Sequence, residues 1–466
     1  MEKPSGATLL TEGSIWRKII GFAIPLFLGN LFQQLYNTAD SLIVGNFIGS
    51  EALAAVSSSG SLIFLMVGLF NGVAMGAGVV IARYFGARDP EHLRRAVHST
   101  VFFGAVSGVI LTVLGILLTP LLLRWMGTPE AVLPNSILYF RVYFGGVLAV
   151  VLYNVAVGIL QAVGDSKHPL YYLMISSCVN VVLDLLFVAV LGFGVGAAAL
   201  ATAISQFLSA ALAFRRLCRE KTEYQVVPSQ VRFDGPMLRE ILRIGLPSGL
   251  QNSIISFANV IVQSSINRFG AAAMAGCGVY FKIEGFGFLP ITCFAMAMST
   301  FVSQNLGAQR YDRAQKGARF GILCSMAVAE GMGIIVRLLS PWLMAAFNRD
   351  PTVIQFGVTQ ARIEAVFWLL LALSHVMAGI LRGAGKAKVP MLVMMTCWCI
   401  IRISYITVTL HLIFDIRVVF WAYPITWTLS SLAFVFYYFR ANWLHGGRIG
   451  DMAGKGSKAG DAVQTG

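Results

Sequence analysis

Charge is what this chain is short of. Only 12% of its 466 residues are Asp, Glu, Lys or Arg, about half the share carried by soluble domains. That excludes an ordinary water-exposed fold. Acids are the scarcer sign: 21 Asp and Glu stand against 35 Lys and Arg, for a formal net charge of +14. Metal-site spacing is missing too. Cys178, Cys218, Cys277, Cys293, Cys324, Cys397 and Cys399 form no paired pattern, and most fall in apolar stretches. They read as small buried hydrophobes, not as zinc ligands or disulfides. There is no HExxH motif. Gly383-Ala384-Gly385-Lys386 resembles a phosphate loop, but Ala387 stands where Ser or Thr is needed. The segment also joins two apolar stretches instead of following a strand, so ATP hydrolysis by that route is excluded. The expectation is a protein that is not an enzyme and carries no cofactor. No cleavable signal peptide is expected either, because the start is polar and the first apolar run too long.

What is abundant is hydrocarbon. Hydrophobic residues make up 57% of the chain and the mean hydropathy is +0.74. Twelve apolar stretches recur, at 19–44, 53–82, 96–119, 134–160, 169–190 and 195–214, then at 241–266, 274–302, 318–338, 354–381, 389–412 and 417–439. Each can cross a hydrocarbon layer of about 30 Å. They lack the alternation of barrel strands, and in lipid only helices or closed barrels satisfy their own backbone. The fold class read from the sequence is therefore all-α: a polytopic membrane protein of twelve transmembrane helices. With the amino terminus inside, 26 Lys and Arg fall on that side and 5 on the other. The positive-inside rule then places both termini in the cytoplasm of a cell (inner) membrane protein. The basic balance reports topology within a lipid bilayer, and no nucleic-acid partner is expected.

The chain also repeats itself. Gly158-Ile159-Leu160 recurs as Gly379-Ile380-Leu381, Phe85-Gly86-Ala87 is echoed by Leu306-Gly307-Ala308, and Pro25 finds Pro247. An offset near 221 is too long for a solenoid and marks a duplicated half. The expected organisation is a six-helix lobe over 1–214, a basic cytoplasmic linker over 215–240, a second six-helix lobe over 241–440, and a disordered glycine-rich tail over 441–466. Six is even, so both halves enter the membrane in the same direction, as in parallel-repeat transporters.

Acids inside such helices are costly and functional by default. Five are present: Asp40, Asp184, Glu284, Glu330 and Glu364. Counting about 1.5 Å of rise per residue, Asp40, Asp184, Thr202 and Tyr139 share one layer below the outer surface. Asn180 lies one turn deeper than Asp184 on the same helix face. Two carboxylates with amide and hydroxyl oxygens suit Na⁺ or a proton. Arg141 is the only base well inside a first-half span. The repeat partners of Asp40 and Asp184 are Val262 and Tyr405, so the duplicated half has lost the pair. In that half Glu284, Glu364 and Arg402 fall at similar depth, with Lys282 shallower, and read as charge pairs or as substrate contacts. Arg141 and Arg362 are repeat partners and suggest a shared packing role. His375 reads as structural, and Pro25 as a helix hinge.

With these residues in view, the sequence resembles the multidrug and toxic compound extrusion family of transporters. The carrying segments are Ile24-Pro25 through Asp40-Ser41, Ala82-Arg83-Tyr84-Phe85-Gly86-Ala87, Gly158 to Asp165, Asn180 to Asp184, Gln304 to Ala308 and Leu381 to Gly385. The resemblance covers nearly all of residues 10–440. It implies a V-shaped pair of lobes around a central cavity, and export of cationic amphiphilic organic compounds in exchange for Na⁺ or H⁺. It assigns Asp40, Asn180, Asp184 and Thr202, with Tyr139 less securely, to the family's first-lobe cation site. A monomer is expected. The alternative within the same superfamily is a flippase for lipid-linked sugars.

Overall fold

A computed structural model describes residues 8–47, 50–125, 128, 130 and 132–444, and among them all regular structure is helical. The first half contains α1 (Ile15–Phe47), α2 (Ser50–Ala87), α3 (Pro90–Trp125), α4 (Leu133–Gly145), α5 (Val147–Ala162), α6 (Lys167–Asp184) and α7 (Val195–Arg219). The second contains α8 (Gly235–Asn267), α9 (Ala271–Gly307), α10 (Tyr311–Phe347), α11 (Pro351–Glu364), α12 (Trp368–Gly383), α13 (Lys388–Met394), α14 (Arg402–Leu412) and α15 (Ile416–Arg440). Three spans are divided between two helices, and the span of α6 runs on into a π-helical turn (Leu185–Val190). α4 and α5 form one span bent by 46°, α11 and α12 are joined by a 3-10 turn, and α13 and α14 by a π-helical turn. With those joined, the described residues form the twelve expected spans. Among the described residues nine helical stretches are by themselves long and apolar enough to cross a membrane, and the bent pair makes a tenth. The expected tail lies mostly at 445–466, outside the described residues.

The surface is inverted relative to a soluble protein. Leu117, Trp125, Leu338 and Phe439 are exposed on the flanks of the bundle, while Asn305, Gln304 and Arg402 are buried. Hydrocarbon as solvent removes the cost of the first group. Helix starts are set by local chemistry: Asp234, Asp350 and Asp415 each cap the helix that follows, accepting from the N–H of Met237, Thr352 and Arg417. Asp234 also accepts from Arg95 Nε at 2.7 Å, which ties α8 to α3.

The duplication is visible in the backbone. Gly164 (φ 83°) and Gly385 (φ 80°) are left-handed partners at the same offset, as are Arg88 (φ 55°) and Gln309 (φ 57°). At the end of the molecule that carries the linker between α7 and α8, the two halves meet in a reciprocal seam. Gly86 packs on the carbonyl of Gln304, and its partner Gly307 on the carbonyl of Arg83. Gln304 is itself the repeat partner of Arg83, so one contact has been written twice. Only glycine lets two backbones approach this closely. Gly72 and Gly76 do the same along α8, against Gly249 and Gly245. Ser303 Oγ donates to the Val79 carbonyl at 2.6 Å, and Gln304 Nε2 to the Ala162 carbonyl at 2.7 Å.

A strap ahead of α1 spans that seam. Thr8 N–H donates to the Val163 carbonyl at 3.2 Å. Leu10 N–H donates to Gln304 Oε1 at 2.9 Å. Arg310 and Arg313 donate to the carbonyls of Thr11 and Gly13 at 2.8 and 2.7 Å. Glu12 pairs with Arg88 at 2.8 Å.

Candidate ion site and central cavity

α6 runs as regular helix to Asp184, where a π-helical turn (Leu185–Val190) takes over. Such turns open the ladder and are frequent at functional sites. Asp184 is fully buried, Asn180 and Tyr139 nearly so, and Thr202 is also buried. The Asn180 amide fits its neighbours best with its oxygen accepting from Thr202 N–H at 3.3 Å and its nitrogen donating to Asp184 Oδ2 at 3.1 Å. Thr202 Oγ1 donates to the Ala198 carbonyl at 3.1 Å, which aims its lone pairs at the site. Asp40, half-buried on α1, meets the Asp184 carboxyl. One oxygen of each carboxyl, Oδ1 in both cases, is buried without a hydrogen-bond partner. No ion pair to either acid is formed among the described residues. Arg141, the one base the sequence offered, is exposed on the other face of α4.

The structure therefore gathers Asp40, Tyr139, Asn180, Asp184 and Thr202, and adds three residues that sequence reasoning missed. Tyr36 lies beside Asp40 and meets Gln206, and Tyr143 stacks on Tyr139 with ring centroids 6.5 Å apart. A signal for them existed. Tyr36 precedes Asp40 by four, Tyr143 follows Tyr139 by four, and Gln206 follows Thr202 by four, so each shares a helix face with a residue already singled out.

Two carboxyls this close and without a base repel unless a proton or a cation lies between them. The donor set fits a small hard cation. It offers carboxylate, amide and hydroxyl oxygens and no sulfur or imidazole.

The second-half charges are arranged differently. Glu364 is buried, and its Oε1 accepts from Gln360 Nε2 at 2.9 Å. Arg402 donates to Thr426 Oγ1 at 2.8 and 3.2 Å and lies 4.4 Å over the Tyr423 ring and 5.3 Å from Trp398. It makes no ion pair within 4.0 Å to Glu284 or Glu364 among the described residues, because a hydroxyl and two aromatic faces already satisfy it. Glu330 Oε2 accepts from the Leu369 N–H at 3.3 Å, in the first turn of α12. His375 sits edge-on between Phe288 and Trp398, at 4.8 and 5.3 Å. The shared packing role expected of Arg141 and Arg362 is not what forms, since both are exposed on their helices.

Between the halves lies a cavity of about 380 Å³. Pro25, Gly29 and Asn30 of α1 line it, with Asn154 and Gln161 of α5. The reciprocal seam and the strap close it at the linker end.

The MatE family model matches residues 25–186 and again 247–408. The chain belongs to this family of transporters, and the two matches are its two halves. Among curated relatives it is 28% identical over 436 residues to the probable multidrug resistance protein YoeA of Bacillus subtilis, covering 92% of this chain and 94% of that one. It is 27% identical over 383 residues to the probable multidrug resistance protein NorM of Thermotoga maritima, covering 81% and 82%. Its fold matches a solved structure described as the outward-facing conformation of a multidrug resistance MATE family transporter, with a TM-score of 0.88 at 24% identity, covering 95% of this chain and 99% of that one.

Proposed function

We propose that this protein is a secondary multidrug efflux antiporter. It exports amphiphilic organic compounds, cationic ones among them, in exchange for Na⁺ or H⁺ by alternating access. The observation that carries this reading is the pair Asp40–Asp184: a half-buried and a fully buried acid, each with an orphaned buried oxygen and no base, with Asn180 and Thr202 completing an oxygen cage. A protein keeps such a pair only for a ligand that neutralises it. Asp40 lies on α1, the helix whose Pro25 lines the cavity, so ion and drug act on one element. Both termini and the linker lie in the cytoplasm on this reading. The seam then seals the inner face, and the conformation is outward-facing. Relatives named for multidrug resistance support the substrate class. Coupling requires that ion and drug favour different states.

The test is flux of a fluorescent organic cation in proteoliposomes under separately imposed Na⁺ and pH gradients. Saturable movement driven by either gradient is expected. Flux indifferent to both would show that the protein is no antiporter.

A further inference from the structure

Among the described residues that line the central cavity there is no acid, and one formal charge. That charge is Arg382. It stands near the end of α12, and only 7% of it is exposed. Its Nε is buried without a hydrogen-bond partner, and no ion pair within 4.0 Å satisfies the guanidinium among the described residues. Backbone contacts hold it in place. Gly379 packs on the carbonyl of Ala295 and Gly383 on that of Ser299, and the left-handed turn at Gly385 ends the segment. The repeat partner of Arg382 is Gln161, which lines the same cavity from the first half. Duplication thus produced a matched pair of polar side chains, and one became a permanent cation. Asn30 and Asn154 line the same cavity, their amides donating to Cys293 Sγ and Asn71 Oδ1.

A buried guanidinium without a counter-ion is costly, and the cost is relieved by an anion that docks on its planar donor fork. A cavity made only for cations would place an acid there, not an arginine. We propose that Arg382 is an anion subsite, so that this transporter selects amphiphiles carrying a carboxylate or similar anionic group in addition to any cationic part. The carboxylate sits on Arg382 near the seam, with the amide of Gln161 able to donate to it. The apolar body extends along Pro25 and Leu173. A compound with the same skeleton and no anion leaves the guanidinium unpaired and binds more weakly.

This rests on the export reading above but is tested apart from it, by equilibrium binding without any gradient. The probes are rhodamine B, whose free carboxylate makes it a zwitterion, and its ethyl ester, a cation with the same fluorophore. Binding is read by fluorescence polarisation on the purified full chain. The wild type is expected to bind the acid at least fivefold more tightly than the ester. Arg382→Gln should bring that ratio to about one or below, and Arg382→Lys should keep part of it because the charge remains but the fork does not. A wild type that binds the ester as well as the acid overturns the proposal, whatever the variants do. An unchanged ratio in Arg382→Gln overturns it equally. Failure of both probes to move across proteoliposomes, with the ratio intact, would count against the export reading alone.

Discussion

At the scale of single residues, the candidate site depends on α1 and α6 each carrying an acid that the repeated half lacks. Asp40→Asn and Asp184→Asn remove the charge and keep the shape. Each is expected to cut gradient-driven flux more than tenfold while the purified protein stays folded, since burial of an uncompensated carboxylate is a cost the fold does not need. Val262→Asn and Tyr405→Phe, at the repeat positions, should do much less. Normal flux in the Asp40→Asn/Asp184→Asn double variant would remove the site from consideration. A different acid makes a prediction about pH. Arg95, hydrogen-bonded to Asp234, holds that carboxyl below the usual carboxylate range. Its unfolded value is ordinary and its folded value lower. Its contribution is therefore present above about pH 4 and is lost as pH falls through the folded value. Asp234→Ala should cost about 1 kcal/mol at neutral pH through the lost cap. Thermal melts of the two proteins should converge in acid; a gap that persists there would mean the cap acts without its charge.

At the scale of elements, α1 and the seam are the parts that the export reading requires to move. α1 is one continuous helix with Pro25 inside it and Asp40 fifteen residues further on. Proline removes one backbone hydrogen bond and leaves a place to bend. Ion occupancy at Asp40 and Asp184 is expected to shift α1 between straight and bent forms. Distances between spin labels on the far ends of α1 and α7 should therefore differ among ion-free, Na⁺-loaded and low-pH samples. Identical distances would leave a fixed kink. The seam is tested by a methyl group. Gly86→Ala or Gly307→Ala puts a Cβ against a facing carbonyl, an overpacking worth about 1–3 kcal/mol. Either should hasten alkylation of Ser303→Cys, a position fully buried in the seam, in a background without the native cysteines. Gly278→Ala, with nothing within 4 Å, is the control. Equal rates in all three would show that the seam does not open there.

At the scale of the whole molecule, the fold was legible because lipid leaves few choices. Helix number, repeat and span limits follow from run length and offset alone. Asp40, Asn180, Asp184 and Thr202 were legible because charge in a greasy helix is rare enough to stand out. Arg402 was legible as a charge but not in its pairing. Aromatic faces and Thr426 satisfy it, and depth counting along helices carries no azimuth. The interruptions after Asp184 and before Arg402 left no mark that hydropathy could register, because a π turn changes hydrogen bonding without changing composition. The strap over residues 8–13 was invisible for the opposite reason. Its backbone carbonyls accept from the guanidinium groups of Arg310 and Arg313, some three hundred residues away, and backbone carbonyls are the same in every sequence.

The doubled glycine contact also sets the mechanical advantage of the molecule. On the export reading, a slight parting at the seam would be magnified along long rods: α9 alone has 37 residues, about 55 Å of helix at 1.5 Å per residue. A tilt of about 10° about that point moves the distant tip of such a rod by about 10 Å, by simple leverage on that length. Side chains beside the seam, Arg382 among them, shift by far less. A gate wide enough for a dye at one rim thus needs only a small displacement at the other. On the export reading, the stroke would be large at the distant rim and small where the backbones touch.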